Sequence, residues 1–281
     1  MKLEIFRCQP PRPGPDYPPV LFIHGSYCGA WVWTEKFMPY FAERGFSGLA
    51  LSLRGHGASE GALAWASMAD YLADVASAAE ELDGPPIVIG HSMGGLIAQH
   101  YLVSRPTAAA VLLGSLPPSG LGSSAMHMSM FAPDVLWQLG LLQSLGPEAI
   151  STDVIHRAFF TRQTPPDAVR HLMPKLQAES HRISADLLCP DQPKLSADHP
   201  LPPVLVLGGD ADVFLPTSAF RETATFLRGD LQILHGAPHG LMLDTAWWQP
   251  TADAIIAWLG EKGVTKEPRR GGRRAPPTES R

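Results

Sequence analysis

The stretch Ile87-Val88-Ile89-Gly90-His91-Ser92-Met93-Gly94-Gly95-Leu96-Ile97-Ala98 decides the fold. It starts with β-branched apolar residues, which predict a buried strand, and it continues into a segment with the composition of a helix. So sharp a turn holds Ser92 in a strained backbone conformation and leaves room only for small neighbours. The serine hydroxyl then stands beside a helix N-terminus, which favours negative charge. This geometry predicts a nucleophile; a tight turn that happens to contain serine is the alternative.

Strands and helices are predicted to alternate on both sides of this stretch. Segments between the apolar runs show the spacing of apolar residues that is typical of helices. One of them runs from Trp31 to Arg44 and is followed by Gly45, a typical residue at a helix C-terminus. The apolar runs predict strands at 2–8, 20–23, 46–53, 87–89, 109–113, 204–207 and 231–234. This order favours an α/β fold with a doubly wound, mostly parallel sheet.

The alternation breaks at Pro117 and resumes at Pro202. Residues 117–201 have helical spacing and few β-branched runs, so we interpret them as an inserted helical cap; a core helix layer does not explain such a length without a strand. Residues 1–116 and 202–261 are then the two parts of the core. Residues 262–281 hold seven basic and two acidic residues, and they predict a disordered tail, with a functional basic arm as the alternative.

Composition excludes several classes of function. The net charge is −5 although the tail is basic, so the body is acidic and a nucleic-acid partner is not expected. The three cysteines lack C-x-x-C spacing, and no other spacing suggests a metal site. Neither a signal peptide nor a membrane-spanning segment is predicted. We expect a cytoplasmic protein without metal, cofactor or stable membrane insertion, which acts on a small molecule; its oligomeric state is open.

A nucleophilic serine needs a base, and that base needs an orienting carboxylate. In a parallel sheet these groups come from loops at the carboxyl ends of strands. His91 adjoins the serine, and His24 and His56 lie beside glycines in turns, where a structural role is expected. His235 and His239 share the loop after the last predicted strand. We predict that His239, farther along the loop, is the base, with His235 as the alternative.

The carboxylate is expected after the strand that ends at Leu207, because no acid directly follows the strand that ends at Leu113. Asp212 lies deeper in that loop than Asp210, which could instead cap the turn. The predicted triad is therefore Ser92, Asp212 and His239.

Hydrolysis also needs backbone donors for a developing oxyanion. The N–H of Met93, directly after the serine, is one predicted donor. The other is expected in the turn after the strand that ends at Ile23, where Ser26 is the first choice and Tyr27 the second.

Five motifs resemble the α/β-hydrolase superfamily over about residues 18–260. They are His24-Gly25-Ser26, Arg54-Gly55-His56-Gly57-x-Ser59, Gly90-His91-Ser92-Met93-Gly94-Gly95, Gly209-x-x-Asp212 with Pro216, and Pro238-His239. The placement of Trp31 and Trp33 after the His24-Gly25 turn is similar to that in small carboxylesterases and lysophospholipase-like members of the superfamily. The resemblance implies the α/β-hydrolase fold, with the cap over a pocket between the serine and the histidine. It leaves the substrate open.

The sequence predicts a serine hydrolase that cleaves a carboxylic ester, with an apolar acyl or alcohol part, through an acyl-enzyme. Two alternatives remain. The same triad could hydrolyse an amide, a thioester or a carbon–carbon bond, or support cofactor-free peroxidation; or the fold could be a non-catalytic binding or receptor module. The candidate substrate-binding residues are Tyr27, Met126, Met130 and Trp137, although methionines in such a segment more often pack a core than line a pocket.

Overall fold

One seven-stranded sheet organises the protein, for which a computed structural model describes residues 1–12, 17–188 and 190–264. The strands run in the order β1-β3-β2-β4-β5-β6-β7, and every pair is parallel except β1 with β3. Their bounds are β1 Ile5–Cys8, β2 Val20–Ile23, β3 Gly48–Leu51, β4 Ile87–His91, β5 Ala109–Leu113, β6 Val204–Gly209 and β7 Asp230–Leu234. The predicted doubly wound, mostly parallel sheet is confirmed. Cys189 and residues 265–281, which include most of the predicted tail, lie outside the described residues.

Helices connect the consecutive strands from β2 to β7, and one more follows β7. They are α1 Trp31–Thr34, α2 Phe37–Glu43, α3 Met68–Ala79, α4 Met93–Leu102, α5 Gly122–Phe131, α6 Pro133–Leu145, α7 Thr152–Phe159, α8 Pro166–Leu172, α9 His181–Leu188, α10 Thr217–Leu227 and α11 Trp248–Glu261. Two short 3-10 helices, Pro147–Ala149 and Met173–Lys175, accompany α6 and α8.

The single helix predicted from Trp31 to Arg44 is wrong, since the structure has two helices, α1 and α2, in its place. Between them Lys36 leaves the helical conformation, with φ −137° and ψ −52°. Pro39 gives the physical reason. It has no N–H for the carbonyl of Glu35, and its ring would clash with that carbonyl in a continuous helix.

Alternate residues along the strands pack against opposite helix layers. Leu21 and Val88 join a core with α3, α4 and α10, whereas Phe22 and Ile89 join a core with α1, α2 and α11. Both faces of the central strands are therefore buried, which explains why these strands have continuous apolar runs rather than alternating patterns.

The helices α5 to α9 follow β5 and precede β6; we call them the inserted helices. They have a small core of their own, formed by Leu142, Ile150, Ile155, Phe160 and Val169. Two hydrogen bonds tie them to the loops at the carboxyl edge of the sheet. The Ser124 hydroxyl donates to the Phe214 carbonyl at 2.6 Å, and the Gly240 N–H donates to the Phe159 carbonyl at 2.9 Å. The inserted helices therefore lie against the edge where the functional candidates were predicted.

Candidate active site

Ser92 occupies the sharp turn between β4 and α4, with φ 54° and ψ −119°. Positive φ is strained for a residue with a side chain. The turn is tight because its glycines touch backbone. A Cβ on Gly90 would lie 2.3 Å from the Gly94 carbonyl oxygen, and a Cβ on Gly94 would lie 2.4 Å from the His24 carbonyl oxygen. The sequence-based expectation of a strained serine between space-limited glycines is confirmed.

Asp212 and His239 form a buried pair. Oδ2 of Asp212 lies 2.6 Å from Nδ1 of His239, and their side chains are 0% and 4% exposed. The other carboxylate oxygen accepts the backbone N–H groups of Phe214 at 2.8 Å and Leu215 at 3.0 Å. Since Nδ1–H donates to the carboxylate, Nε2 of His239 is left as a proton acceptor.

The other aspartate and histidine considered for this role pair with each other. Nδ1 of His235 lies 2.8 Å from Oδ2 of Asp210, with the side chains 87% and 38% exposed. The N–H of Gly236 donates to the same carboxylate. Neither His235 nor Asp210 lines the cavity described next. This pair therefore stabilises a surface turn.

Ser92 and His239 line one apolar cavity of about 310 Å³. Most of its wall is aliphatic or aromatic, and much of it comes from the inserted helices. The larger apolar side chains of this wall are Leu116, Leu121, Met128, Leu136, Leu139, Phe159, Leu187, Leu188, Phe214 and Leu215. The Ser92 hydroxyl forms no hydrogen bond with a residue in the described part of the chain. Hydrogen bonds between a nucleophile and its base often tighten only when substrate binds. The position of Ser92 and His239 on the wall of one cavity is compatible with such a bond.

Of the four residues expected to bind substrate, the structure brings Tyr27 to the cavity. Met126, Met130 and Trp137 are 63%, 64% and 68% exposed and do not line it. Their places are taken by Met128 on α5 and by Leu136 and Leu139 on α6.

Ser26 and Met93, which carry the predicted oxyanion donors, are neighbours. The Ser26 hydroxyl lies 3.3 Å from Sδ of Met93. Met93 is the first residue of α4, so its N–H has no partner within the helix. Tyr27, the second choice, has φ 64°, and its carbonyl accepts the N–H of Gln177 at 3.0 Å. This hydrogen bond links the loop after β2, which contains Tyr27, to the chain between α8 and α9.

His24 and His91 hold the loops around the serine in place. Nε2 of His24 accepts the Leu53 N–H at 3.0 Å, and Nδ1 lies 2.8 Å from the Gly25 carbonyl, to which it donates. Burial is the main reason that the pKa of His24 falls to about 3. Nε2–H of His91 donates to the His239 carbonyl at 3.0 Å. Burial, followed by the neighbouring His239, lowers the pKa of His91 well below its ordinary value, so the ring is neutral.

Glu179 was not identified from the sequence. It is 3% exposed and lies in the segment before α9. Its carboxylate contacts Nε2 of His56 at 3.2 Å and accepts the Tyr71 hydroxyl at 2.6 Å and the Ser180 N–H at 2.7 Å. Burial alone would raise the pKa of Glu179, but the charge of His56 and these hydrogen bonds outweigh it and lower the pKa. No local pattern marks this residue, because its side-chain partners His56 and Tyr71 are far away along the chain.

Within residues 1–12, 17–188 and 190–264, no three His, Cys, Asp or Glu side chains gather in a group that could hold a metal ion. The same ranges contain no helix with the length and apolar character needed to cross a bilayer.

The chain belongs to the alpha/beta hydrolase family, whose model matches residues 20–254. A non-heme chloroperoxidase of Streptomyces lividans is 38% identical over 104 residues, which are 36% of this chain and 37% of that protein. Lipase LipV of Mycobacterium tuberculosis is 35% identical over 117 residues, which are 41% and 44% of the two chains. The chain thus matches less than half the length of these relatives.

The crystal structure of a bromoperoxidase from Bacillus anthracis superposes with a TM-score of 0.71 at 18% identity and covers 92% of this chain and 96% of that one. This likeness shows a shared fold and leaves the reaction to be argued from the site.

Proposed function

We propose that this protein is a serine hydrolase of carboxylic esters with an apolar acyl or alcohol part. One observation carries the proposal: a buried aspartate–histidine pair and a serine on a strained turn line the same apolar cavity. The apolar wall favours a hydrocarbon group on the substrate, since burying such a group stabilises the complex. The inserted helices act as a cap, because they supply much of that wall.

The reaction follows from the roles of the three side chains. Ser92 Oγ attacks the ester carbonyl carbon while Nε2 of His239 takes its proton. The alcohol leaves with that proton, and the acyl group stays on the serine. A water then gives a proton to His239 and attacks the acyl carbon; the acid departs and the proton returns to Ser92. Asp212 holds the imidazole and stabilises its charged form, and the N–H groups of Ser26 and Met93 stabilise the oxyanion.

A fluorophosphonate probe tests the nucleophile. We expect the wild type to be labelled and to hydrolyse p-nitrophenyl butyrate, and Ser92→Ala to do neither. Ser26→Ala is the matched control, because it changes a neighbouring serine hydroxyl without removing a backbone N–H. Equal labelling of Ser92→Ala and the wild type would remove Ser92 from the mechanism.

Perhydrolysis is a second candidate, favoured by the chloroperoxidase among the relatives. Hydrogen peroxide would replace water in attacking the acyl-enzyme, and a peracid would leave instead of the acid. Peracid formation from acetate and hydrogen peroxide, measured beside ester hydrolysis, separates the two. Both activities should disappear together in Ser92→Ala.

A further inference from the structure

Most residues that line the cavity with Ser92 and His239 are shielded from solvent. Among the described residues that line it, all are buried or half-buried except Gly140 on α6 and Leu188 at the end of α9. A residue that lines the cavity and is also exposed to solvent lies at the rim, where the cavity opens. The exposure pattern therefore places the opening at Gly140 and Leu188.

Gly140 lies on the cavity face of α6. Leu136, Leu139, Gly140 and Gln143 are spaced as one side of a helix, and all four line the cavity. A Cβ added at Gly140 would meet no heavy atom within 4 Å. Packing therefore does not require glycine here, although glycine inside a helix costs about 1 kcal/mol relative to alanine. A side chain at position 140 would instead fill the open space in front of Gly140.

The helices around the opening are tied to each other. The Gln143 amide donates to the Glu179 carbonyl at 2.8 Å and lies 3.2 Å from Nδ1 of His181. At the other end of α9, the Leu121 N–H donates to the Leu187 carbonyl at 2.8 Å. Since these bonds hold the helices in place, the side chains at 140 and 188 set the width of the opening.

We propose that the substrate enters past Gly140 and Leu188, and that the absent side chain at position 140 determines how bulky a substrate can be. Gly140 is thus a specificity-determining residue. The identity of the substrate rests on the proposed ester hydrolysis, whereas the position of the entrance does not.

Gly140→Ala and Gly140→Leu test the entrance with p-nitrophenyl acetate and p-nitrophenyl octanoate. We expect kcat/KM for the octanoate to fall at least about tenfold in Gly140→Leu and by a smaller factor in Gly140→Ala. In both variants kcat/KM for the acetate should change by less than about twofold. Leu188→Ala should favour the octanoate. Gly122→Leu is the matched control, because Gly122 also lies on the inserted helices with open space around it but does not line the cavity.

A second measurement needs no hydrolysis. The association rate of the apolar fluorophore N-phenyl-1-naphthylamine, followed by stopped flow, should fall about tenfold in Gly140→Leu and stay unchanged in Gly122→Leu. If the wild type hydrolyses no ester but this rate still falls, the proposed function fails and the entrance stands. If Gly140→Leu and Gly122→Leu behave alike with both esters and with the fluorophore, the entrance lies elsewhere and the inference is overturned.

Discussion

Nδ1 of His239 lies 2.6 Å from Oδ2 of Asp212, and this pair is closed off from solvent. The same two loops hold a second pair of the same chemistry, His235 with Asp210, at 2.8 Å and exposed. The residue types and distances are alike, so burial and access to the cavity distinguish the two pairs. The exposed pair of His235 and Asp210 is therefore an internal control for the role of the buried pair of His239 and Asp212.

Asp212→Asn should lower kcat for p-nitrophenyl butyrate by about 10⁴. The amide keeps the shape of the side chain, but it favours the imidazole tautomer that cannot accept a proton from Ser92. Asp210→Asn should leave kcat within about twofold of the wild type, since the outer pair does not reach the cavity. Similar losses in the two variants would contradict the assignment of Asp212.

Gly94→Ala tests the turn that carries the serine. The new Cβ would lie 2.4 Å from one backbone carbonyl oxygen and 2.5 Å from another, those of His24 and Ile23, and neither can rotate away. We expect the free energy of unfolding, measured by urea denaturation, to fall by about 3 kcal/mol or more. Gly122→Ala, where the added methyl meets nothing, should change stability by less than about 1 kcal/mol.

Much of the site could be predicted from the sequence because its signals are local. The turn around Ser92 combines a β-branched run with glycines that leave room for the backbone, and Asp212 and His239 each lie in the loop that follows a strand. A parallel sheet brings such strand ends to one edge whatever the intervening sequence. The order of the strands was therefore enough to predict that these loops meet at one edge. The choice of Asp212 over Asp210 and of His239 over His235 also needed their positions along the loops.

The cavity wall could not be predicted in the same way. Methionines occur at positions 126, 128 and 130 of α5, so the sequence does not indicate which face of the helix is buried. Packing decides it, and Met128 is 4% exposed while Met126 and Met130 are 63% and 64% exposed. The inserted helices have no β-sheet to fix their orientation, and their facing depends on contacts between residues distant in sequence.

His91→Phe tests whether His91 positions the loop that carries His239. The ring shape is kept, but the donor to the His239 carbonyl is lost, so kcat should fall by up to about tenfold, with KM little changed. His91→Gln, whose amide can replace that donor, should restore part of kcat. Because the pKa of His91 is well below its ordinary value, the ratio of wild-type to His91→Phe kcat should stay constant between about pH 6 and 9. A loss that Gln does not restore would indicate packing alone.

Glu179 joins the segment before α9 to His56 and Tyr71 of the core. Removing its charge leaves the Tyr71 hydroxyl and His56 with a weaker partner in a site that water does not reach. Glu179→Gln should therefore lower the free energy of unfolding at pH 7 by about 2 kcal/mol, the usual contribution of hydrogen bonds to a charged group. Glu148→Gln, an exposed change on the same segment, should have no measurable effect.

The pH dependence of this difference has a definite sign. The folded pKa of Glu179 is lowered, so the carboxylate stabilises the folded state above its ordinary pKa of about 4.3, and this contribution is lost as the pH falls through the folded value. The stability gap between the wild type and Glu179→Gln should therefore shrink as the pH falls below about 4, as urea denaturation at each pH would show. A gap that widened on acidification would mean that Glu179 is protonated in the folded protein. In that case hydrogen bonds to a neutral carboxyl, rather than the pairing with His56, would hold the segment before α9 against the core.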